Sequence, residues 1–383
     1  MFRSSSPESL VERQKGEKRS KNMASGRERF LKIAHFESND LMFPSLWQWF
    51  FTEALDRWKK EGLPADVHPS EYFGFDRMEI VPINSGWREL LVPTFDVETL
   101  EENATHKVIM DRDGAKKRVR KEHRLLSMDQ WLEYPVKDRK TWREYKKRLN
   151  PHSPARYPLW WKEEKERYKE RSYPLGITVG SFFGWMRNWI GLENLSYIMS
   201  DDPSLIEEIN EHLEYFIIET IKPVLEDIDF DFAHFWEDMA YKTGSLVSPS
   251  FVKKYMVPHY KRIVELLHSK GIDIITLDSD GNIWELIPIW LDCGINGVLP
   301  SEVAAGMDIV KMRKKFGKNL IIAGGIDKRV LSRGKIDIEK EVMSKVPYLL
   351  STSGYFPCID HSVPPDVPFN NYLYYLELIR KLA

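Results

Sequence analysis

The sequence predicts an α/β protein: a (β/α)8 TIM barrel with an N-terminal antiparallel hairpin insertion. Two observations carry this. Short β-branched runs alternate with amphipathic helical patterns, above all after Tyr173, as in a parallel sheet wrapped by helices. Two of the apolar runs also pass straight into polar clusters. Residues 272–277 lead into Asp278-Ser279-Asp280-Gly281-Asn282, and residues 355–358 lead into Ile359-Asp360-His361 and a proline-rich stretch. In a parallel barrel the carboxyl ends of the strands converge on one face, where sites lie.

Taken in order, residues 1–23 are basic and polar without an apolar core, which predicts a disordered tail and not a secretory signal; Met23 is a second candidate start. Residues 24–383 read as one domain. Candidate barrel strands are 42–46, 175–179, 230–234, 272–277, 294–298, 319–323 and 354–358, and an eighth has no recognisable run. Residues 93–133 read differently. There 105–110 and 117–120 flank an Asp113-Gly114 turn, the mark of a β-hairpin inserted into the barrel. Helical spacing runs from Pro203 to Ile221 and recurs at 310–315 and 372–379, while Ser248-Pro249 supplies an N-cap and a first-turn proline. The mixed-charge run 162–171 is a solvated helix face or linker.

Composition narrows the function. Among 383 residues, 56 Lys and Arg nearly balance 58 Asp and Glu, so the net charge of −2 gives no attraction to nucleic acid or an anionic membrane. A small-molecule substrate is the expected partner. A hydrophobic fraction of 42% is ample for a large core. Two cysteines, Cys293 and Cys358, exclude a disulfide framework and a cysteine-only zinc site. No apolar stretch reaches the roughly 18 residues of a membrane span. Together these predict a cytoplasmic protein.

Several residues then stand out. Asp278 and Asp280 alternate beyond a strand, so both carboxylates are placed to face one cavity, where like charges raise the pKa of one and prepare a general acid. The same residues also read as an Asp-rich turn that caps the next helix. His361 precedes a stiff segment with Pro364, Pro365 and Pro368, suited to holding one imidazole in place. His234, Trp236, Glu237, Asp238, Tyr241 and Lys242 crowd another strand end, with Glu237 and Asp238 as the functional candidates. Glu302 and the Gly324-Gly325 pair follow two further strands. Paired glycines let an anion approach backbone N–H groups, or simply serve a tight turn. Trp47, Trp49, Phe50, Trp185 and Trp189 are candidates for an aromatic cavity or for core packing. Phosphate-loop, dinucleotide, Cys-x-x-Cys and Gly-x-Ser-x-Gly signatures are all absent.

These motifs resemble a known family. Arg27-Glu28-Arg29-Phe30, Asp40 to Pro44, Phe235-Trp236-Glu237-Asp238, Ser248-Pro249, Asp278-x-Asp280-Gly281-Asn282 and His361-x-x-x-Pro365-x-x-Pro368-x-Asn370 are similar to the uroporphyrinogen decarboxylase superfamily, over residues 24–383. That superfamily holds cofactor-free decarboxylases and cobamide-dependent methyltransferases that use zinc to activate a thiol. Methyltransferases of the coenzyme M type carry a His-x-Cys-Gly-Asn pattern plus a later cysteine as zinc ligands. Here the matching positions are Asp278, Asp280 and His361, a harder donor set open to zinc or another divalent metal. The decarboxylases carry an arginine-rich N-terminal clamp for their polycarboxylate substrate. The corresponding region here, residues 41–50, is apolar and aromatic.

The resemblance therefore implies a corrinoid-linked methyltransferase or related one-carbon enzyme. Asp278, Asp280 and His361 would form its polar centre, as metal ligands or proton carriers, with Glu237 or Asp238 orienting the ligand. Trp47, Trp185, Tyr241, Glu302, Gly324 and Gly325 are its expected substrate contacts. The cobamide would arrive on a separate corrinoid protein, and a homodimer is implied. A metal-free porphyrinogen decarboxylase-like lyase and a non-catalytic ligand-binding barrel are the alternatives.

Overall fold

The computed structural model describes residues 24–81, 83, 90–122, 129–157 and 159–382. The expected disordered tail at 1–23 lies outside them. The strands, in chain order, are β1 (Glu79–Ile80), β2 (Glu98–Glu102), β3 (His106–Met110), β4 (Lys116–Arg120), β5 (Gln130–Glu133), β6 (Leu175–Thr178), β7 (Phe232–Trp236), β8 (Ala240–Tyr241), β9 (Gly244–Ser245), β10 (Ile275–Asp278), β11 (Gly297–Leu299), β12 (Ile321–Ala323) and β13 (Tyr355–Phe356). Seven of them make a curled parallel sheet in the order β1-β6-β7-β10-β11-β12-β13, so almost every crossover joins nearest neighbours.

The sheet separates two cores, and the period of two decides which side each residue joins. Ala233, Phe235, Ile275, Leu277, Val298, Ile322 and Tyr355 face outward into the large core under the helices. Phe232, Ile274, Leu299, Ile321, Ala323 and Phe356 face inward with Trp47 and Cys358. The helix Gly26–Ala34 closes the amino ends of the strands. Its start is fixed by a capping box between Ser25 and Glu28. It presses Phe30 onto Phe232 and Phe356, with ring centroids 5.5 and 5.3 Å apart.

Residues 42–51 differ from expectation. The run 42–46 is no strand, because Pro44 has no N–H to give a ladder and a 3₁₀ turn follows at Ser45–Trp47. The segment instead bonds at both ends. Ser45 N–H donates to Asp76 and Asp76 N–H to Phe43, just before β1, while Phe51 and Val363 N–H groups donate to Val363 and Trp49, after β13. The strand that had no recognisable run is β1. Two residues are too few for a period to show.

Between β1 and β6 the chain builds a four-stranded antiparallel sheet, β2-β3-β4-β5, larger than a single hairpin. β3 and β4 pair across the Asp111–Gly114 turn, where Gly114 takes φ 80° and Lys117 ties Asp111 and Asp113 together at 2.6 Å each. Among the described residues no helix is long and apolar enough to cross a membrane.

Candidate functional site

The site grows from the carboxyl ends of β7 and β10, where Asp278 lies in register with Trp236. Asp278 is the last residue of its strand and shares the inward face with Ile274 and Thr276. Its carboxyl group has no hydrogen bond from any described residue. Burial pushes its pKa far above the ordinary carboxylate range, and the charges of Asp280 and Asp238 push it further. Asp278 therefore holds its proton to a higher pH than an ordinary carboxyl group does.

Asp238 and Asp280 form the wall above it. Asp238 takes a left-handed φ of 50°, a conformation that Asp tolerates better than most residues. Its Oδ1 accepts from Asp280 N–H at 3.2 Å. Arg187, from the helix Phe183–Ile190, donates to its carbonyl at 2.6 Å and to its Oδ2 at 3.3 Å. Burial and Asp280 raise the Asp238 pKa against the pull of Arg187.

Across the mouth, His361 Nε2 lies 3.5 Å from Asp280 Oδ2. This pairing raises the imidazole pKa despite burial, which favours the imidazolium. The rings of Trp49 and Phe51 flank His361 at 6.4 and 6.2 Å. Glu302 accepts from Gly281 N–H at 3.2 Å and pairs with Lys328 at 3.5 Å. Asp360, fully buried beside His361, accepts from Val303 and Lys328 N–H at 2.9 Å each. It pins three strand-end loops together.

Other expected site residues are placed elsewhere. Glu237 is fully buried, and its two oxygens accept from the N–H groups of Phe182, Phe183 and Gly184 and the hydroxyls of Ser181 and Tyr260, at 2.7 to 3.2 Å. It anchors the start of the helix Phe183–Ile190 and does not reach the mouth; the alternation of β7 turns it away from Asp238. Trp47 packs at the closed end of the inner core. Trp185 packs on Trp189 and Phe216 outside the sheet. Tyr241 stands exposed on the β8–β9 ribbon at the rim. The paired glycines are turn residues. Gly324 and Gly325 N–H groups donate to Phe356 and Pro300 carbonyls, and a Cβ on Gly324 would meet the Pro300 oxygen at 1.9 Å. Their N–H groups are thus unavailable to an anion. Arg187 and Lys328 escaped sequence reading: Arg187 stands in an aromatic run, and Lys328 lies between Asp327 and Arg329 just past the glycine pair, a signal that could have found it.

The expected metal triad is not assembled. Among the described residues no group of three or more His, Cys, Asp or Glu side chains is placed to hold a metal ion. Asp280 and His361 meet at the rim, whereas Asp278 faces the interior below them and acts on Asp280 through charge alone. Cys358 sits in the inner core with its thiol pushed far up by burial. The donor set does not fit a three-ligand site.

A parallel sheet with its acids gathered at the strand carboxyl ends defines an α/β protein whose site lies on the C-terminal face. The uroporphyrinogen decarboxylase (URO-D) family model matches residues 165–382, more than half of the chain, and the chain belongs to this family. Uroporphyrinogen decarboxylases of Geobacter sulfurreducens and Legionella pneumophila are 23% and 24% identical over 149 and 142 residues. Each match takes in 37% of this chain, which spans only 40% and 39% of the length of those relatives. Among solved structures, a methyltransferase from Methanosarcina mazei shares the fold with a TM-score of 0.58 at 12% identity, covering 94% of this chain and 99% of that one.

Proposed function

We propose that the chain is a closed (β/α)8 barrel, with residues 42–51 as its eighth wall, and that it catalyses corrinoid-linked methyl transfer at the mouth formed by Asp278, Asp280, Asp238 and His361. The buried Asp278 carboxyl, unbonded to any described residue and with its pKa raised, carries this reading. A leaving group that parts from its methyl keeps the electron pair of the broken bond and becomes basic, and a neutral acid on the floor supplies the proton it needs. Asp278 is left as a carboxylate, and the His361 imidazolium, paired with Asp280, restores its proton by way of Asp280 or water. Arg187 holds Asp238 in place at the mouth through its carbonyl and its carboxylate. The corrinoid, brought by a separate protein in the cytoplasm, supplies the nucleophile that accepts the methyl. The half-open rim from Tyr241 to His361 is where that protein docks, and the working unit is a homodimer.

The relatives favour a second reading, a metal-free decarboxylase-like lyase in which Asp278 protonates the carbanion left by carbon dioxide. Charge weighs against it. At the mouth Arg187 and Lys328 each already face a carboxylate, which weighs against their clamping a polycarboxylate.

The test is direct. The purified protein is given cob(I)alamin with a panel of methyl donors, and separately uroporphyrinogen. Methylation of the cobalamin, seen in its visible spectrum and lost about 10²- to 10⁴-fold in Asp278→Asn, supports the proposal. Stoichiometric carbon dioxide from uroporphyrinogen with no methyl transfer would replace it by the lyase.

A further inference from the structure

The inward face continues below Asp278. One register row deeper, His234 on β7 stands opposite Thr276 on β10 and Thr178 on β6. His234 and Thr178 keep partial exposure there, while the inward Ile321 and Phe356 on the far side are buried. The cavity thus reaches the imidazole.

One hydroxyl bears on which ring nitrogen carries the proton. Thr276 Oγ1 lies 3.2 Å from the Ala233 carbonyl, which can only accept, and 2.9 Å from His234 Nδ1. With its single hydrogen on the carbonyl, Nδ1 is the donor of the second bond. Burial pushes the His234 pKa down to about 4, which keeps the ring uncharged and leaves Nε2 a bare acceptor. No described residue donates to it. Asp278 is its diagonal neighbour on the same face, at the spacing that long side chains bridge. At the mouth above, Trp49 and Phe51 present their rings beside His361.

We propose that His234 Nε2 and the Asp278 carboxyl form the floor of the substrate pocket and select a flat, uncharged ligand bearing a hydroxyl, whose O–H donates to Nε2 while its oxygen accepts from Asp278. Among the described residues a carboxylate finds no cation on this floor and loses its hydration there. The anions in range, Asp238 and Asp280, are already paired with Arg187 and His361, so an ammonium gains little. The inference rests on the reading above in taking Asp278 as a donor, and names the ligand chemistry which that reading leaves open.

The test uses the full chain with ¹⁵N-labelled histidine, and phenol, benzoate and benzylammonium as probes. His234 is expected to show one protonated and one bare ring nitrogen, with the bare resonance assigned to Nε2. Phenol moves that resonance saturably, while benzoate and benzylammonium leave it in place. His234→Phe weakens phenol binding at least tenfold. Should that variant not fold, Thr276→Val serves, since freeing Nδ1 mixes the tautomers and weakens phenol. A protonated Nε2, an Nε2 resonance that phenol does not move, or equal binding of benzoate would overturn the inference. These readouts need no turnover, so an absence of methyl transfer beside the expected spectra would remove only the reaction proposed above.

Discussion

The inward face of the sheet has two halves built on the same register rows. On β6, β7 and β10 it carries Thr178, His234, Thr276 and Asp278; on β11, β12 and β13 it carries Gly297, Leu299, Ile321, Ala323 and Phe356. The second half is what a barrel interior requires for packing alone, branched and aromatic side chains shielded from water. The first half departs from that requirement in adjacent strands only. Polar groups inside a sheet are costly unless paired, so their confinement to one side marks where packing alone does not account for the residues.

The polar half depends on a support outside the sheet, and removing it gives the largest expected effect. Glu237 collects five donors at the start of the helix Phe183–Ile190, which carries Arg187 to Asp238. In Glu237→Ala those buried donors lose their acceptor, at about 1–3 kcal/mol for each one left unsatisfied. A loss of at least about 3 kcal/mol is expected, with a melting temperature lowered by several degrees in calorimetry. Glu237→Gln keeps an acceptor and should fall between. If alanine leaves the melting temperature unchanged, the anchor assigned to Glu237 is wrong.

Asp278→Asn tests the polar half from within and should raise stability. The folded pKa of Asp278 lies far above the ordinary value of 3.8 because burial disfavours its charge. The native state therefore holds more protons than the unfolded chain between 3.8 and the raised value, and stability falls as pH climbs through that window. Asparagine removes the penalty. The variant should unfold about 3 °C above the parent at neutral pH, with no difference near pH 3. Equal melting at both pH values would mean that Asp278 ionises normally.

Much of this contrast could be read in the sequence, for a reason the two halves share. The runs 272–277 and 319–323 announce strands through β-branched residues, and their endings show which carries acids. Asp278, Asp280 and His361 were visible because they follow such runs directly. The rest depends on contacts between distant residues. Nothing at Glu237 tells that five donors from residues 181–184 and 260 converge on it, and nothing in the Gly324-Gly325 pair tells that Pro300 lies against it. The metal triad failed likewise. Spacing along the chain put Asp278 and Asp280 on one side, but the turn at Gly281 carries Asp280 to the rim beside His361 and leaves Asp278 facing the interior.

The smallest effect belongs to that rim pair. Hydrogen bonding to Asp280 raises the His361 pKa above its ordinary 6.5. The native state therefore holds this proton more tightly than the unfolded chain does. The stabilisation is complete below pH 6.5 and disappears as pH rises through the raised value. Both side chains are about a third exposed, at 34% and 38%, so solvent screens the pair. Its worth to the fold is a few tenths of a kcal/mol. The titration itself is the better probe. Followed by NMR at the imidazole C–H, the His361 midpoint should drop toward 6.5 in Asp280→Asn, while His234, bonded to Thr276 and out of reach of that charge, stays unprotonated through the same range. A His361 midpoint that ignores Asp280 would dissolve the pair, and with it the proposed route by which Asp278 regains its proton.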